Sequence, residues 1–256
     1  MITIFAATSA RVIALLAAPA MLMSATAARA QEQNHIAMGA GVAVTPSYQG
    51  ASDYRVLPIP VIDIKQGWLF ANLRSGIGIA PITTEHLTIG ASAVFVQGYR
   101  RSDVPIGIDK LSDGLGARVF ANFRGAGFVG TLGAVQVVTG GTGGIIADAS
   151  LSYPTQISPR FSLTPTIGAT WADRDQNDGY FGVNAAEAAA SGLSQFTAGS
   201  GFKDVTGTLT AAYRLSDRIT LSATGGVTAL IGDVADSPIV ERKTRPSGVV
   251  TASYRF

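Results

Sequence analysis

His35 and His86 are the only two imidazoles in a 256-residue chain that has no cysteine at all. A hydrolase built on a serine or threonine nucleophile needs a base within hydrogen-bond reach and a third group to orient that base. Neither histidine stands in a serine-bearing strand pattern that would place such a pair on one face, and no Gly-x-Ser-x-Gly elbow occurs. The lack of cysteine excludes a disulfide scaffold, a thiolate metal site, a cysteine nucleophile and an acylated amino terminus. Asp173-Arg-Asp-Gln-Asn177-Asp-Gly179 has oxygens at alternate positions like the opening of a calcium loop, but its turn glycine comes one residue late. Its twelfth position would be Asn184 instead of a bidentate glutamate, so a solvated acidic loop is the better reading. The expectation is a protein that is not an enzyme and uses neither cofactor nor metal.

The remaining chemistry is cationic. Arg118, Asn122 and Arg124 share one face of the segment Leu115 to Phe123, opposite Leu115, Ala117, Val119, Ala121 and Phe123. Together with Arg74, Arg214 and Arg255 they could line a water-filled lumen and favour anions. A small barrel more often fills its interior with side chains, and a filled, salt-bridged lumen is the preferred expectation.

The elements that would hold these residues are strands. In the closing run Ser247 to Phe256, Gly248, Val250, Ala252, Tyr254 and Phe256 fall on one face, and Val249, Thr251, Ser253 and Arg255 fall on the other. Side-chain direction reverses at every residue of a strand, so one face suits lipid and the other suits water. Tyr254 and Phe256 resemble the terminal signal read by the outer-membrane insertion machinery. At the amino terminus, Arg11 precedes an apolar run and Ala28-Arg-Ala30 forms a small-x-small site, the pattern of a cleaved signal peptide over residues 1–30. Its removal takes away Arg11 and Arg29 but no acid, so the formal charge falls from +2 to zero. A basic nucleic-acid binder is thereby excluded. No apolar run after residue 30 is long enough for a spanning helix, so any crossing must be made by strands closed into a barrel.

Alternating segments of roughly ten residues recur along the chain. They cover 35–47, 55–65, 68–80, 87–99, 115–123, 127–138, 144–155, 161–171, 205–215, 219–231 and 248–256. Both ends in the periplasm require an even count, and this tally is odd. Either Pro58 and Pro60 demote 55–65, or 68–80 is two short strands bent at Ser75-Gly76. The expected fold is therefore all-β, an antiparallel transmembrane outer-membrane barrel of ten or twelve strands in one domain over 31–256. Long polar connections at 100–113, 173–202 and 232–247 should lie outside, and short ones at 124–127, 156–160 and 216–218 should lie in the periplasm. Within the longest loop, Asn184-Ala-Ala-Glu187 is a capping box, Ala185 to Ser191 favours helix, and Gly192 supplies a left-handed stop.

Several patches resemble the MipA/OmpV family, in order and across the chain. They are Pro46-Ser-Tyr48-Gln-Gly50-Ala-Ser-Asp53-Tyr-Arg55, Pro58-Ile-Pro60, Tyr180-Phe-Gly182-Val183, Ser191-Gly192-Leu193, Asp236-Ser237-Pro238-Ile-Val240 and the closing Tyr254-Arg-Phe256. The resemblance implies a non-catalytic outer-membrane barrel in contact with lipid and lipopolysaccharide. The family's name-giving member is a scaffold that brings a lytic transglycosylase and a murein polymerase together, which implies the same two partners here. The motif assigns no partner-binding residue. Read as architecture, Pro46, Gly50, Pro58 and Pro60 are turn and strand-end formers, and Asp236-Ser-Pro238 is an Asx-type turn.

Overall fold

The computed structural model describes residues 34–256; the expected leader over 1–30 lies outside them. Thirteen strands follow one another: β1 (His35–Pro46), β2 (Tyr54–Gln66), β3 (Leu69–Asn72), β4 (Gly76–Thr83), β5 (Leu87–Val96), β6 (Gly114–Gly125), β7 (Phe128–Thr139), β8 (Ile145–Ser152), β9 (Thr155–Ser158), β10 (Phe161–Ala172), β11 (Gly201–Arg214), β12 (Ile219–Leu230) and β13 (Thr244–Arg255). β8 and β9 both pair with β10 and are one wall strand interrupted at Tyr153-Pro154. The wall is thus a closed antiparallel barrel of twelve strands, sealed where β1 meets β13. Closure leaves no free edge at the seam, as hydrocarbon demands.

The segment 68–80 is indeed two strands, β3 and β4, reversing at Leu73-Arg74-Ser75. That reversal makes the count even. The prolines of β2 do not end it: Pro58 and Pro60 lie inside the strand, in register with Val42 and Ala40 of β1.

Period-two alternation decides which side chains meet lipid. Val119, Leu132, Ile167, Leu209, Val227 and Val250 are about half exposed on the outer surface. Their neighbours Phe120, Thr131, Thr166, Thr208, Thr228 and Thr251 turn inward, and all but the half-buried Thr166 are buried. The inner wall of β10 to β13 is rich in threonine, and cross-strand pairs such as Thr206–Thr228 (2.9 Å) and Thr210–Thr224 (3.0 Å) satisfy one another's hydroxyls. The largest buried apolar cluster is not in the barrel wall. It is built mainly from the long connections at the end opposite the chain termini.

Candidate functional site

Three of those connections carry the cap: 47–53, 97–113 and the stretch after β10. The last holds α1 (Arg174–Phe181) and α2 (Ala185–Ser191). A fourth, 231–243, contains a single 3-10 turn at Asp233–Asp236. Tyr48, Tyr99, Ile108, Tyr180, Phe181, Val183, Val234 and Ile239 pack into one buried cluster across all four. The Tyr99 and Tyr180 rings meet edge-on at 5.1 Å, and Tyr48 stands 6.0 Å from Tyr99.

Each phenol finds a backbone partner, as buried tyrosines generally must. Tyr48 donates to the Ile239 carbonyl (2.6 Å), Tyr99 donates to the Tyr180 carbonyl (3.2 Å), and the Tyr180 hydroxyl accepts from Gln49 N–H (3.1 Å). Ser237 Oγ donates to the Phe181 carbonyl (2.5 Å). Burial penalises the phenolate, so all three tyrosine pKa values are raised, that of Tyr180 to about 12.

Most of the patches read as a family signature converge here. Pro46 ends β1, Tyr48 enters the cluster, and the Gly50 carbonyl accepts from Glu241 and Arg242 N–H (both 2.9 Å). The Asp53 carbonyl accepts from Ser47 N–H, and Arg55 at the top of β2 reaches Asp103 (3.7 Å). Gly182 closes α1 through a bond to the Asp178 carbonyl. α2 forms as its capping box predicts, with Asn184 and Glu187 bonding reciprocally and Gly192 left-handed. Ser191 Oγ donates to the Glu187 carbonyl (2.6 Å). The turn at Asp236-Ser237-Pro238 is organised by Ser237, whereas Asp236 pairs with Lys243 (2.8 Å); this corrects the Asx reading. The acidic run at 173–179 is mostly helix. Asp173 caps α1 by accepting from Gln176 N–H (2.9 Å), and Asp178 accepts from Ala198 N–H (2.9 Å), so these carboxylates serve the backbone.

Below the cap, charged side chains pair on the inner face of the wall and across it. Arg118 on β6 makes a bidentate pair with Asp148 on β8 (2.6 and 2.9 Å), both side chains nearly buried. Arg74, at the β3–β4 reversal, reaches Ser150 on β8 (3.0 Å), although β8 lies on the far side of the ring. Gly133 makes room for the pair: a Cβ there would stand 2.1 Å from Arg118 Nη2. Asn122 accepts from Thr131 (2.9 Å). Higher up, Lys203 pairs with Asp204 and donates to Gln49 (2.9 Å), while Arg245 donates to the Tyr48 carbonyl (3.3 Å), which ties the cap to the wall.

The other arginines expected in the lumen, Arg124, Arg214 and Arg255, stand instead at the mouth that holds the two ends of the barrel strands β1 and β13. The Arg124 carbonyl lies 3.0 Å from His86 Nδ1, and Arg214 donates to the Pro159 carbonyl (3.0 Å). Arg255 is exposed at the end of β13, where its N–H meets the Arg218 carbonyl (2.7 Å). His35 sits 3.2 Å from Asp63. The Tyr254 ring meets Phe256 edge-on (5.1 Å), and its hydroxyl accepts from Arg218 (2.9 Å).

Sequence reading missed Tyr99, Asp148, Lys203, Asp204 and Arg245. Asp148 left a signal, since an inward-facing acid midway along an alternating segment needs a partner of opposite charge inside the barrel. Lys203-Asp204 left little, because the register shift at Thr170/Trp171 opposite them breaks the alternation locally.

The sequence profile of a family described as MltA-interacting protein MipA matches residues 38–256. The MltA-interacting protein of Escherichia coli (strain K12) is 27% identical over 243 residues, covering 92% of this chain and 96% of that protein. YiaT, a protein of the same strain named for the outer membrane, is 31% identical over 113 residues. That match covers 44% of this chain and spans only 45% of YiaT's length. Among solved structures, the COG4313 outer membrane channel from Pseudomonas putida F1 aligns over 89% of this chain and 97% of its own, with 11% identity and a TM-score of 0.46.

Proposed function

The chain belongs to the MltA-interacting protein MipA family, and from that premise we propose that it is a sealed, non-catalytic outer-membrane barrel that scaffolds peptidoglycan synthesis and remodelling. The supporting observation is the cap, where one apolar cluster drawn from four connections covers the outer mouth above the Arg118–Asp148 wall pair and the Arg74–Ser150 crossing. A lumen bridged in this way is a strut. Lipid and lipopolysaccharide surround the wall, and the insertion machinery reads Tyr254 and Phe256. The partners are a lytic transglycosylase, as the name of the E. coli relative suggests, and a murein polymerase. They meet the periplasmic turns, where Trp68, Arg160, Arg214, Arg218 and Arg255 are exposed.

Capture of a lytic transglycosylase by the refolded barrel, together with negligible single-channel current, is the expected outcome. Free passage of small solutes with no enzyme recovered would overturn the reading. A narrow diffusion channel is the second reading, favoured by buried lumen atoms without protein partners: the hydroxyls of Thr164, Thr170 and Thr208, and Nε of Arg245. Such groups suit a file of water. Planar-bilayer conductance that drops on Arg118→Ala would establish that reading, and a silent bilayer would remove it.

A further inference from the structure

The wall has a notch. β2 runs from Tyr54 to Gln66, but β3 pairs only with its last part, from Asp63 to Gln66. Beyond the β3–β4 reversal no ladder joins β2 to β5 among the described residues, so residues 54–62 have a partner on the β1 side alone. At about 3.4 Å per residue this open edge is roughly 30 Å long on β2, while on β5 only Val94 to Val96 extend beyond the last pairing with β4. The notch lies in the half of the wall that faces the outer leaflet.

An open sheet edge in hydrocarbon would carry costly unpaired backbone groups. The prolines of β2 remove two of the donors that would otherwise point into it. Gln66 and Leu69 flank a two-residue turn and form its hydrogen-bonded pair, so Gln66 directs its N–H and C=O towards β3. Every second residue back along β2 does the same, through Ile64 and Ile62 to Pro60, Pro58 and Val56. Pro58 and Pro60 therefore present no donor where no acceptor exists. An incoming strand would find the ladder broken at two successive sites, so strand addition does not fill the notch. The lumen-facing side chains behind it are apolar and, apart from the half-buried Phe70, buried: Leu57, Ile59 and Val61 on β2, Phe70 on β3 and Val94 on β5, with Phe120 packed edge-on against Phe70 at 5.5 Å, while Val56 and Ile62 on the outer face of β2 are exposed. The opposite wall is lined by threonines instead.

We propose that this notch is a lateral seat for the acyl chain of an outer-leaflet lipid, which takes the place of the missing wall between β2 and β5. The surrounding solvent supplies the occupant, the prolines exclude a strand, and the aliphatic lining accepts a chain without hydrogen-bonding demands.

Quenching by brominated phospholipids tests the seat in the full barrel, with Trp68 and Trp171 first replaced by phenylalanine. Phe70→Trp places a reporter at the notch, Val135→Trp places one on the lumen face behind unbroken wall, and Leu209→Trp reports direct lipid contact. The brominated chain should quench the Phe70→Trp variant roughly twofold or more beyond the Val135→Trp variant, approaching the Leu209→Trp variant. Quenching equal to that of Val135→Trp would mean that protein closes the gap. Stronger quenching by aqueous acrylamide would mean that water fills it, and either result overturns the proposal. Should Phe70→Trp fail to show heat-modifiable migration, Val94→Trp on the other flank gives the same reading.

Discussion

Removing either member of the Arg118–Asp148 pair should destabilise the barrel, and the two losses should be unequal in a direction fixed by Arg74. The side chains of Arg118 and Asp148 are 12% and 11% exposed, so each charge depends on the other for solvation. Breaking a buried pair generally costs about 3–5 kcal/mol. Arg74 bonds Ser150, which stands two residues from Asp148 on the same face of β8, so three charged side chains share the site. Arg118→Ala leaves Asp148 with Arg74 as its remaining counter-charge, and its cost should fall near the low end, about 3 kcal/mol. Asp148→Ala leaves two guanidinium groups facing each other with no carboxylate. Taking roughly 7 Å between them, the spacing of alternate residues along a strand, and an effective dielectric of about 20, their repulsion adds about 2 kcal/mol. Asp148→Ala should therefore cost about 5 kcal/mol, and the double variant should recover part of that loss by removing one cation. Urea unfolding in lipid vesicles, followed by the fluorescence of Trp68 and Trp171, measures all three. A loss for Arg118→Ala equal to or larger than that for Asp148→Ala would refute the three-charge account.

Three further outcomes are expected. Pro58→Ala and Pro60→Ala each introduce an N–H directed into the notch, and each should cost about 1–3 kcal/mol in the same unfolding assay; a neutral result would show that the edge is already paired. The cap should loosen in alkali. A phenol whose folded pKa is raised contributes stability that is complete below the unfolded value near 10 and is lost as pH rises through the folded value, which for Tyr180 is about 12. Protease sensitivity of the outer loops should climb across that window, in step with tyrosinate absorbance, and loosening that begins below pH 9 would point to another group. Gly107→Ala would set a Cβ 2.5 Å from Ser191 N at a residue with φ +97°. It should push the 97–113 loop off α2 and loosen its backbone enough for trypsin to cut at the already exposed Arg100 and Arg101 while heat-modifiable migration stays intact; an unchanged digest would show that this contact does not hold the cap.

Much of the wall was legible because alternation is a local property. Leu209 and Val227 face lipid, and Thr208 and Thr228 face inward, as their places in the segments 205–215 and 219–231 require. α2 was equally legible, since its caps are supplied within eight residues by Asn184, Glu187 and Gly192. Pro58 and Pro60 were legible only as a conflict. They suggested a demoted strand, whereas the structure keeps the strand and leaves the edge open. The site was less accessible. Tyr48, Tyr99, Tyr180 and Ile239 come from four connections, and no periodicity relates residues so far apart in the chain.

The sequence by itself determined a barrel wall with a lipid face and an inward face, long connections at one end and short ones at the other. Each of these follows from side-chain order within a single strand or turn. Only the tertiary structure decided that β3 and β4 fall short of β2, that Arg118 meets Asp148 while Arg74 spans to Ser150, and that four loops condense into one apolar cap. Those outcomes depend on ring closure and strand stagger, which bring together residues that local preference leaves independent.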